Sequence, residues 1–175
     1  MSTQEHVLGI SLWLPVKRAA LFPFFADAAN LNLITPPWVH FKILTPLPLE
    51  MREGALLDYR IRLHGIPIRW RTRITSWEPD RRFVDEQIKG PYYLWRHEHT
   101  FEDADGGTLC RDRVTYAHPG GALVHRWFVG PDVKRIFEYR QARLLAMFGA
   151  GRQAMGDAPP VPGAASPRVG SLAGA

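Results

Sequence analysis

The sequence contains a single cysteine, Cys110, so no internal disulfide framework is possible. That usage is typical of a reducing compartment, and we expect the protein to be cytoplasmic. No apolar run approaches the length of about 18 residues that a membrane span needs. The N-terminal segment does not have the pattern of a signal peptide, because Glu5, His6 and Pro15 interrupt it.

Lysine is also scarce, and the formal net charge of +5 comes almost wholly from 18 arginines against 4 lysines. A basic chain can bind nucleic acid or a membrane surface. Here the arginines alternate along predicted strands with acidic residues nearby, and neither a basic run nor a recognition motif is present. We therefore expect no nucleic-acid binding.

Several catalytic and metal-binding motifs are missing as well. No serine nucleophile elbow is found. Gly106-Gly107 lies in a predicted hairpin rather than between a strand and a helix, so it is not a phosphate loop. His97-x-His99 places two imidazoles on one strand face, but no third His or Cys ligand lies close by in sequence. We expect neither a metal nor a cofactor.

What the sequence does contain is a β-hairpin over residues 93–116, with two alternating strands around Asp105-Gly106-Gly107. Asp-Gly between alternating strands is a strong hairpin signal. Strands bury their aromatic and β-branched side, so the face with Trp95, Phe101, Val114 and Tyr116 should point inward. The same face carries the ionisable residues His97, His99 and Asp112.

The rest of the chain predicts a strand, two short helices, further strands and a long C-terminal helix, in that order. Residues 6–14 form a strand, two short helices follow before residue 35, and about six antiparallel strands occupy residues 38–117. Apolar residues at 3, 4 and 7 spacing from Val133 to Phe148 predict a long amphipathic helix. We predict one α+β domain over residues 1–148, in which this helix packs in the concave face of the sheet and leaves a cavity. The tail, residues 149–175, is rich in Gly, Ala and Pro and is predicted to be disordered.

Arginines line the other face of the sheet. A turn at Gly65-Ile66, or a slightly wider loop, would place Arg62 opposite Arg69 and Arg60 opposite Arg71. Because like charges directly opposite are unfavourable, acids such as Glu86 and Glu98 should intervene. The alternative is that this face binds an anionic protein partner. The outer-face arginines are Arg60, Arg62, Arg69, Arg71, Arg73, Arg96, Arg111 and Arg113.

The inward histidines and Asp112 are the candidate catalytic residues. The hairpin places either His97 or His99 opposite Asp112, and both registers keep the pair on one face. Such a pair serves either as a general base oriented by a carboxylate or as a buried ion pair that fixes the register.

A small-molecule site is predicted around this pair, because an aromatic cavity with a few convergent polar groups is the usual composition of such sites. Arg140, near the apolar side of the last helix, either pairs with Asp85 or Asp112, binds an anionic ligand group, or extends to solvent. The predicted ligand-binding residues are Tyr59, Trp70, Thr72, Phe83, Asp85, Gln87, Trp95, His97, His99, Asp112, Tyr116, Phe137 and Arg140.

The order of elements and several local strings resemble the SRPBCC superfamily, the group of START, Bet v 1 and polyketide-cyclase proteins with the helix-grip fold. The strings include Thr35-Pro36-Pro37-Trp38, residues 82–87, residues 95–99 and residues 136–140, and the resemblance covers residues 6–148. The sequence resembles above all the bacterial stand-alone members of this superfamily. The resemblance implies binding of a hydrophobic or aromatic small molecule between sheet and helix. The alternatives are a cyclase, dehydratase or hydrolase that uses the His–Asp pair, and a regulatory protein that binds a partner through its arginine face.

Overall fold

The computed structural model describes residues 4–149 and the backbone of Gly170–Ser171. It confirms the predicted order of a strand, two short helices, six further antiparallel strands and a long C-terminal helix. The predicted disordered tail lies outside the described residues, apart from Gly149 and the two-residue strand. The strands are β1 (His6–Leu14), β2 (Lys42–Ile43), β3 (Leu56–Leu63), β4 (Ile66–Glu78), β5 (Arg82–Lys89), β6 (Leu94–Ala104), β7 (Gly107–Ala117) and β8 (Gly170–Ser171), and the helices are α1 (Arg18–Phe25), α2 (Leu31–Ile34), α3 (Gly121–Val124) and α4 (Gly130–Phe148).

All strands belong to one antiparallel sheet in the order β2-β3-β4-β5-β6-β7-β1-β8. The predicted turn between β6 and β7 is confirmed, with Asp105 at φ 48° and Gly106 at φ 77°. Positive φ at both central residues matches the two-residue turns whose twist suits a hairpin. The first strand pairs with β7 over its whole length, so it lies beside the last strand that precedes the C-terminal helix.

The predicted register between β3 and β4 is wrong by one residue at the turn. The turn residues are His64 (φ 48°) and Gly65 (φ 81°), not Gly65 and Ile66. Histidine tolerates the left-handed region better than a β-branched isoleucine does, which explains the shift. As a result Arg60 faces Arg69, and Arg71 faces Asp58.

The outer face of the sheet contains several ion pairs, as predicted for part of its arginines. Arg71 Nε lies 2.6 Å from Asp58 Oδ1, Arg96 Nε lies 3.3 Å from Glu86 Oε1, and Arg111 pairs with Glu102. Acidic residues therefore neutralise part of the positive face. Within residues 4–149, the arginines of this face that make no ion pair are Arg60, Arg62, Arg69, Arg73 and Arg113.

The C-terminal helix packs on the inner face of the sheet and continues an earlier helical segment without a break. It runs from Gly121 through α3, a π-helical segment at His125–Val129, and α4. Phe137 is buried against strand residues of β1 and β7, and Leu144 is buried beside Leu14. Its apolar stripe is thus covered by the sheet. Among the described helices, none is long and apolar enough to cross a membrane.

Candidate functional site

A cavity of about 440 Å³ lies between the inner face of the sheet and the C-terminal helix. Strands β3 to β6 form one wall and α4 forms the other. Side chains of α1 and α2, including Phe25 and Ile34, complete the lining. Both the size and the mainly apolar walls are those of a small-molecule pocket.

Ten of the thirteen residues predicted to bind a ligand line this cavity. The three that do not are Gln87, Asp112 and Tyr116. The prediction correctly located the central strands because residues two apart on a strand share one face. The ten that line it are Tyr59, Trp70, Thr72, Phe83, Asp85, Trp95, His97, His99, Phe137 and Arg140.

Each of the three exceptions has a local cause. The Gln87 side chain donates to the carbonyl oxygen of Tyr92 at 2.7 Å and accepts from its amide at 3.3 Å, so it closes the loop between β5 and β6. Tyr116 is buried in the core cluster beneath α4. Asp112 lies on β7, behind the imidazoles of His97 and His99, and does not reach the cavity surface.

Sequence reasoning missed the apolar lining from outside the central strands. Phe24, Phe25 and Ile34 come from the first two helices, and Ile136 comes from α4. A signal was present, because the short helices carry apolar residues that a neighbouring surface must cover. Their position at one end of the cavity depends on packing that the local pattern does not contain.

Aromatic rings form one end of the cavity. The ring of Trp70 lies 5.3 Å from Trp95, 5.5 Å from Tyr92 and 5.8 Å from Tyr59, measured between centroids. Trp70 Nε1 donates to the hydroxyl of Thr72 at 3.1 Å, which satisfies the buried indole. A flat apolar group would find stacking and edge contacts here.

Two histidines and two aspartates form a closed polar cluster at the other side. His97 Nε2 lies 2.9 Å from Asp112 Oδ1, and His99 Nδ1 lies 2.8 Å from the same oxygen. Across the imidazoles, Asp85 Oδ2 lies 3.2 Å from His99 Nε2 and 3.5 Å from His97 Nδ1. The backbone register pairs His99 with Asp112, yet both histidines reach that carboxylate.

The surroundings of the two histidines shift their pKa values in opposite directions. Burial opposes the charge on His99, but its hydrogen bonds to Asp112 and Asp85 outweigh burial and raise its pKa. Burial and the neighbouring His99 lower the pKa of His97. Burial disfavours the Asp112 carboxylate, yet hydrogen bonds from both imidazoles hold its pKa well below the usual range. His99, between two carboxylates, therefore holds its proton to higher pH than the neighbouring His97 does.

Arg140 enters the cavity from α4 without the salt bridge that was one of its predicted roles. Within residues 4–149 it makes no ion pair with Asp85 or Asp112, and its buried Nε has no hydrogen-bond partner. Its charge is nevertheless close enough to help lower the pKa of Asp85. A buried guanidinium donor facing a cavity is suited to an anionic or carbonyl oxygen.

Asp85, His97 and His99 also present three potential metal-ligand atoms within 4.8 Å of one another. The third potential ligand is a carboxylate on the neighbouring strand β5, which a search for His or Cys close by in sequence does not find. A metal would have to compete with a proton for His99, because the pKa of this imidazole is raised.

Comparison with known proteins identifies the family. The family model described as polyketide cyclase / dehydrase and lipid transport matches residues 14–145. This range includes both faces of the cavity and most of α4. No curated protein sequence matches the chain.

Several solved structures are similar to the fold. They include the ZhuI aromatase/cyclase from Streptomyces sp. R1128 (TM-score 0.65, 14% identity, 86% of this chain and 95% of that one). Protein Ms6760 from Mycobacterium smegmatis has TM-score 0.61 and 17% identity over 82% of this chain and 91% of that one. The major latex-like protein 151 from Panax ginseng has TM-score 0.61 and 8% identity over 82% and 97%. With a family match over most of its length and the helix-grip fold, the chain belongs to the polyketide cyclase / dehydrase and lipid transport family of the SRPBCC superfamily.

Proposed function

We propose that this protein binds a hydrophobic or aromatic small molecule with a polar or anionic end in the cavity between the sheet and α4. The observation that carries the proposal is the apolar cavity of about 440 Å³. Pockets for drug-sized ligands measure about 300–1,000 Å³ and are mostly apolar. Burial of ligand surface against these walls contributes roughly 25 cal/mol per Å² before the costs of association are subtracted.

The polar end of the ligand would lie between Arg140 and the histidine cluster. Arg140 offers a buried donor with no partner among the described residues. Across the cavity, Asp85, His97 and His99 form its polar wall. An oxygen of the ligand would satisfy the guanidinium, and the charge-assisted hydrogen bond fixes the orientation of an otherwise apolar molecule.

Two fluorescent probes with the same rings test this arrangement. Anilinonaphthalene sulfonate carries an anionic group, and N-phenylnaphthylamine lacks it. Ile136→Trp, which places an indole at the cavity wall, should abolish binding of both probes. Arg140→Met keeps the length of the side chain but removes its charge. It should weaken binding of the sulfonate probe about tenfold or more and leave the affinity for the neutral probe unchanged.

Lys134→Met is the matched control, because it removes one charge from the exposed side of the same helix. It should change neither affinity. Thermal unfolding of each variant verifies that it is folded. Unchanged binding of both probes by Ile136→Trp would refute binding in this cavity, whereas equal weakening of both probes by Arg140→Met would refute only the role of its charge.

Catalysis in the same cavity is the second candidate. It is supported by the contrast between His99, with a raised pKa, and His97, with a lowered one, next to Asp85. A neutral imidazole that faces a ligand can accept a proton, and a neighbouring carboxylate orients it. One structure with a similar fold is named an aromatase/cyclase, although the likeness to it is one of fold.

Native mass spectrometry of protein purified from its own host separates binding from catalysis. If the protein is an enzyme, the His97→Gln and His99→Gln variants should carry a small molecule whose mass differs from the one on the unmodified chain. The molecule carried by the variants would be the unconverted substrate. The same mass on all three proteins would contradict catalysis by these imidazoles and leave the binding proposal intact.

A further inference from the structure

Three histidines other than those of the His97 and His99 cluster meet at the start of β1. His6 begins that strand, His118 follows β7, and His125 opens the π-helical segment. One ring nitrogen from each lies within 4.8 Å of the others. The rings of His6 and His125 are stacked with centroids 3.4 Å apart, and His118 lies 5.6 Å and 5.5 Å from them.

Two of these rings each have a buried nitrogen that makes no hydrogen bond to any described residue. His118 Nδ1 lies 2.7 Å from the carbonyl oxygen of Pro119. A carbonyl only accepts, so Nδ1 carries the proton and Nε2 presents a lone pair. That Nε2 is buried without a partner, as is Nδ1 of His125. Such lone pairs cost free energy unless something binds them.

The backbone around His125 is arranged to admit its ring. Residues His125–Val129 form a π-helical segment, a rare insertion that is frequent at functional sites. Gly130 lies directly beneath the imidazole, where an added Cβ would come within 3.1 Å of its Cε1 and Nε2 atoms. A side chain at this position would press against the ring, which would have to shift by a few tenths of an ångström.

Two of the three rings have lowered pKa values. Burial lowers the pKa of His6, and His118 adds to that effect. Burial and the two neighbouring imidazoles also lower the pKa of His125. Among residues 4–149, no carboxylate makes an ion pair with these three rings, in contrast to His97 and His99. Neutral imidazoles are the form that binds metal ions.

We propose that His6, His118 and His125 form a binding site for a divalent transition-metal ion of the Zn²⁺ type. Imidazole ligands suit zinc, and the carbonyl bonded to His118 Nδ1 is the kind of partner that orients metal-binding histidines. Coordination at about 2.0–2.1 Å requires the stacked rings of His6 and His125 to splay. Both are only partly buried, which leaves a fourth position for water.

Metal binding is tested with full-length protein that carries no polyhistidine tag. Titration with Co²⁺, which absorbs visible light when tetrahedral, should saturate at one ion per chain and be reversed by Zn²⁺. His118→Asn and His125→Asn should each weaken Zn²⁺ binding about a hundredfold or more, because two ligands remain. The double variant His97→Asn with His99→Asn should bind Zn²⁺ as well as the unmodified protein.

The wild-type protein supplies a second measurement that does not depend on variants folding. Paramagnetic Co²⁺ should shift the imidazole resonances of His6, His118 and His125 and leave those of His97 and His99 sharp. Absence of saturable binding, or shifts confined to the cavity histidines, would overturn the proposal. So would Zn²⁺ affinity that survives replacement of His118 and His125 in folded protein.

Discussion

Replacing Asp112 by Asn tests whether one buried carboxylate holds both cavity imidazoles. One of its oxygens lies 2.9 Å from His97 Nε2 and 2.8 Å from His99 Nδ1. The His97 and His99 side chains are only 6% and 4% exposed, so water cannot replace the lost partner. Asparagine keeps the shape but removes the charge that favours a protonated His99.

The expected loss follows from the burial of the pair. Breaking a buried ion pair by removing one partner costs about 3–5 kcal/mol, because the remaining charge is left uncompensated. His99 limits this cost by releasing its proton, and His97 can still donate to the amide oxygen. We therefore expect Asp112→Asn to lower the free energy of unfolding by about 3 kcal/mol, the lower end of that range.

Urea unfolding near neutral pH, followed by tryptophan fluorescence, measures the change. Glu102→Gln is the control, because Glu102 pairs with Arg111 across the same two strands but is 56% exposed. An exposed pair contributes about 0–1 kcal/mol. The pKa of His99, followed by NMR, should also fall in Asp112→Asn. A loss no greater than that of Glu102→Gln, with His99 titrating unchanged, would refute the reasoning.

Two further predictions concern pH and the close approach of strands. Because the pKa of His99 is raised, its stabilisation is fully present below the unfolded value of 6.5 and disappears as pH rises through the folded value. His99→Gln should thus cost more stability at about pH 5.5 than at about pH 9 in urea unfolding, and equal costs would contradict this. Gly107→Ala should cost about 2 kcal/mol or more, because a Cβ would clash with the carbonyl oxygen of Leu14. A Cβ added at Gly9, on the adjacent strand, would meet no described atom within 4 Å, so Gly9→Ala should change stability by less than about 1 kcal/mol. Similar decreases in melting temperature for the two variants would refute the clash at Gly107.

The inner face of the hairpin was predictable because strand geometry alternates with period two. Trp95, His97, His99 and Phe101 had to share one face, and the Asp-Gly turn limited the register to two choices. Local pattern could not decide between them. Which histidine lies opposite Asp112 in the register matters less than expected, because the side chains of both histidines reach its carboxylate.

The register between β3 and β4 was not predicted correctly, because it depends on His64, and histidine is only a weak indicator of a turn. His64 adopts a left-handed conformation that only a minority of non-glycine residues occupy, so glycine alone was used to locate the turn. The one-residue difference changes which charges meet. Arg71 gains Asp58 as its partner, and Arg60 is left opposite Arg69.

The second histidine cluster was beyond local sequence reasoning for a different reason. His6 and His118 are more than a hundred residues apart and meet only because β1 pairs with β7. His125 joins them through a π-helical segment, which leaves no mark in a 3.6-residue pattern. Arg140 was correctly placed near the cavity by helical periodicity. Whether a carboxylate would reach its guanidinium depended on tertiary distances.

The position of Asp112 bears on whether the cavity cluster serves stability alone. Buried ionic groups are often no more stabilising than apolar residues of the same size, so stability by itself is a weak reason for the cluster. A cluster that only fixed the register would have no need of a cavity-facing side. Yet Asp85, His97 and His99 line the cavity opposite Arg140, while Asp112 supports the imidazoles from behind. Asp112→Asn should therefore lower both stability and the pKa of His99. Arg140→Met should instead weaken binding of the anionic probe with little loss of stability, and should raise the pKa of His99, because the guanidinium charge lowers it.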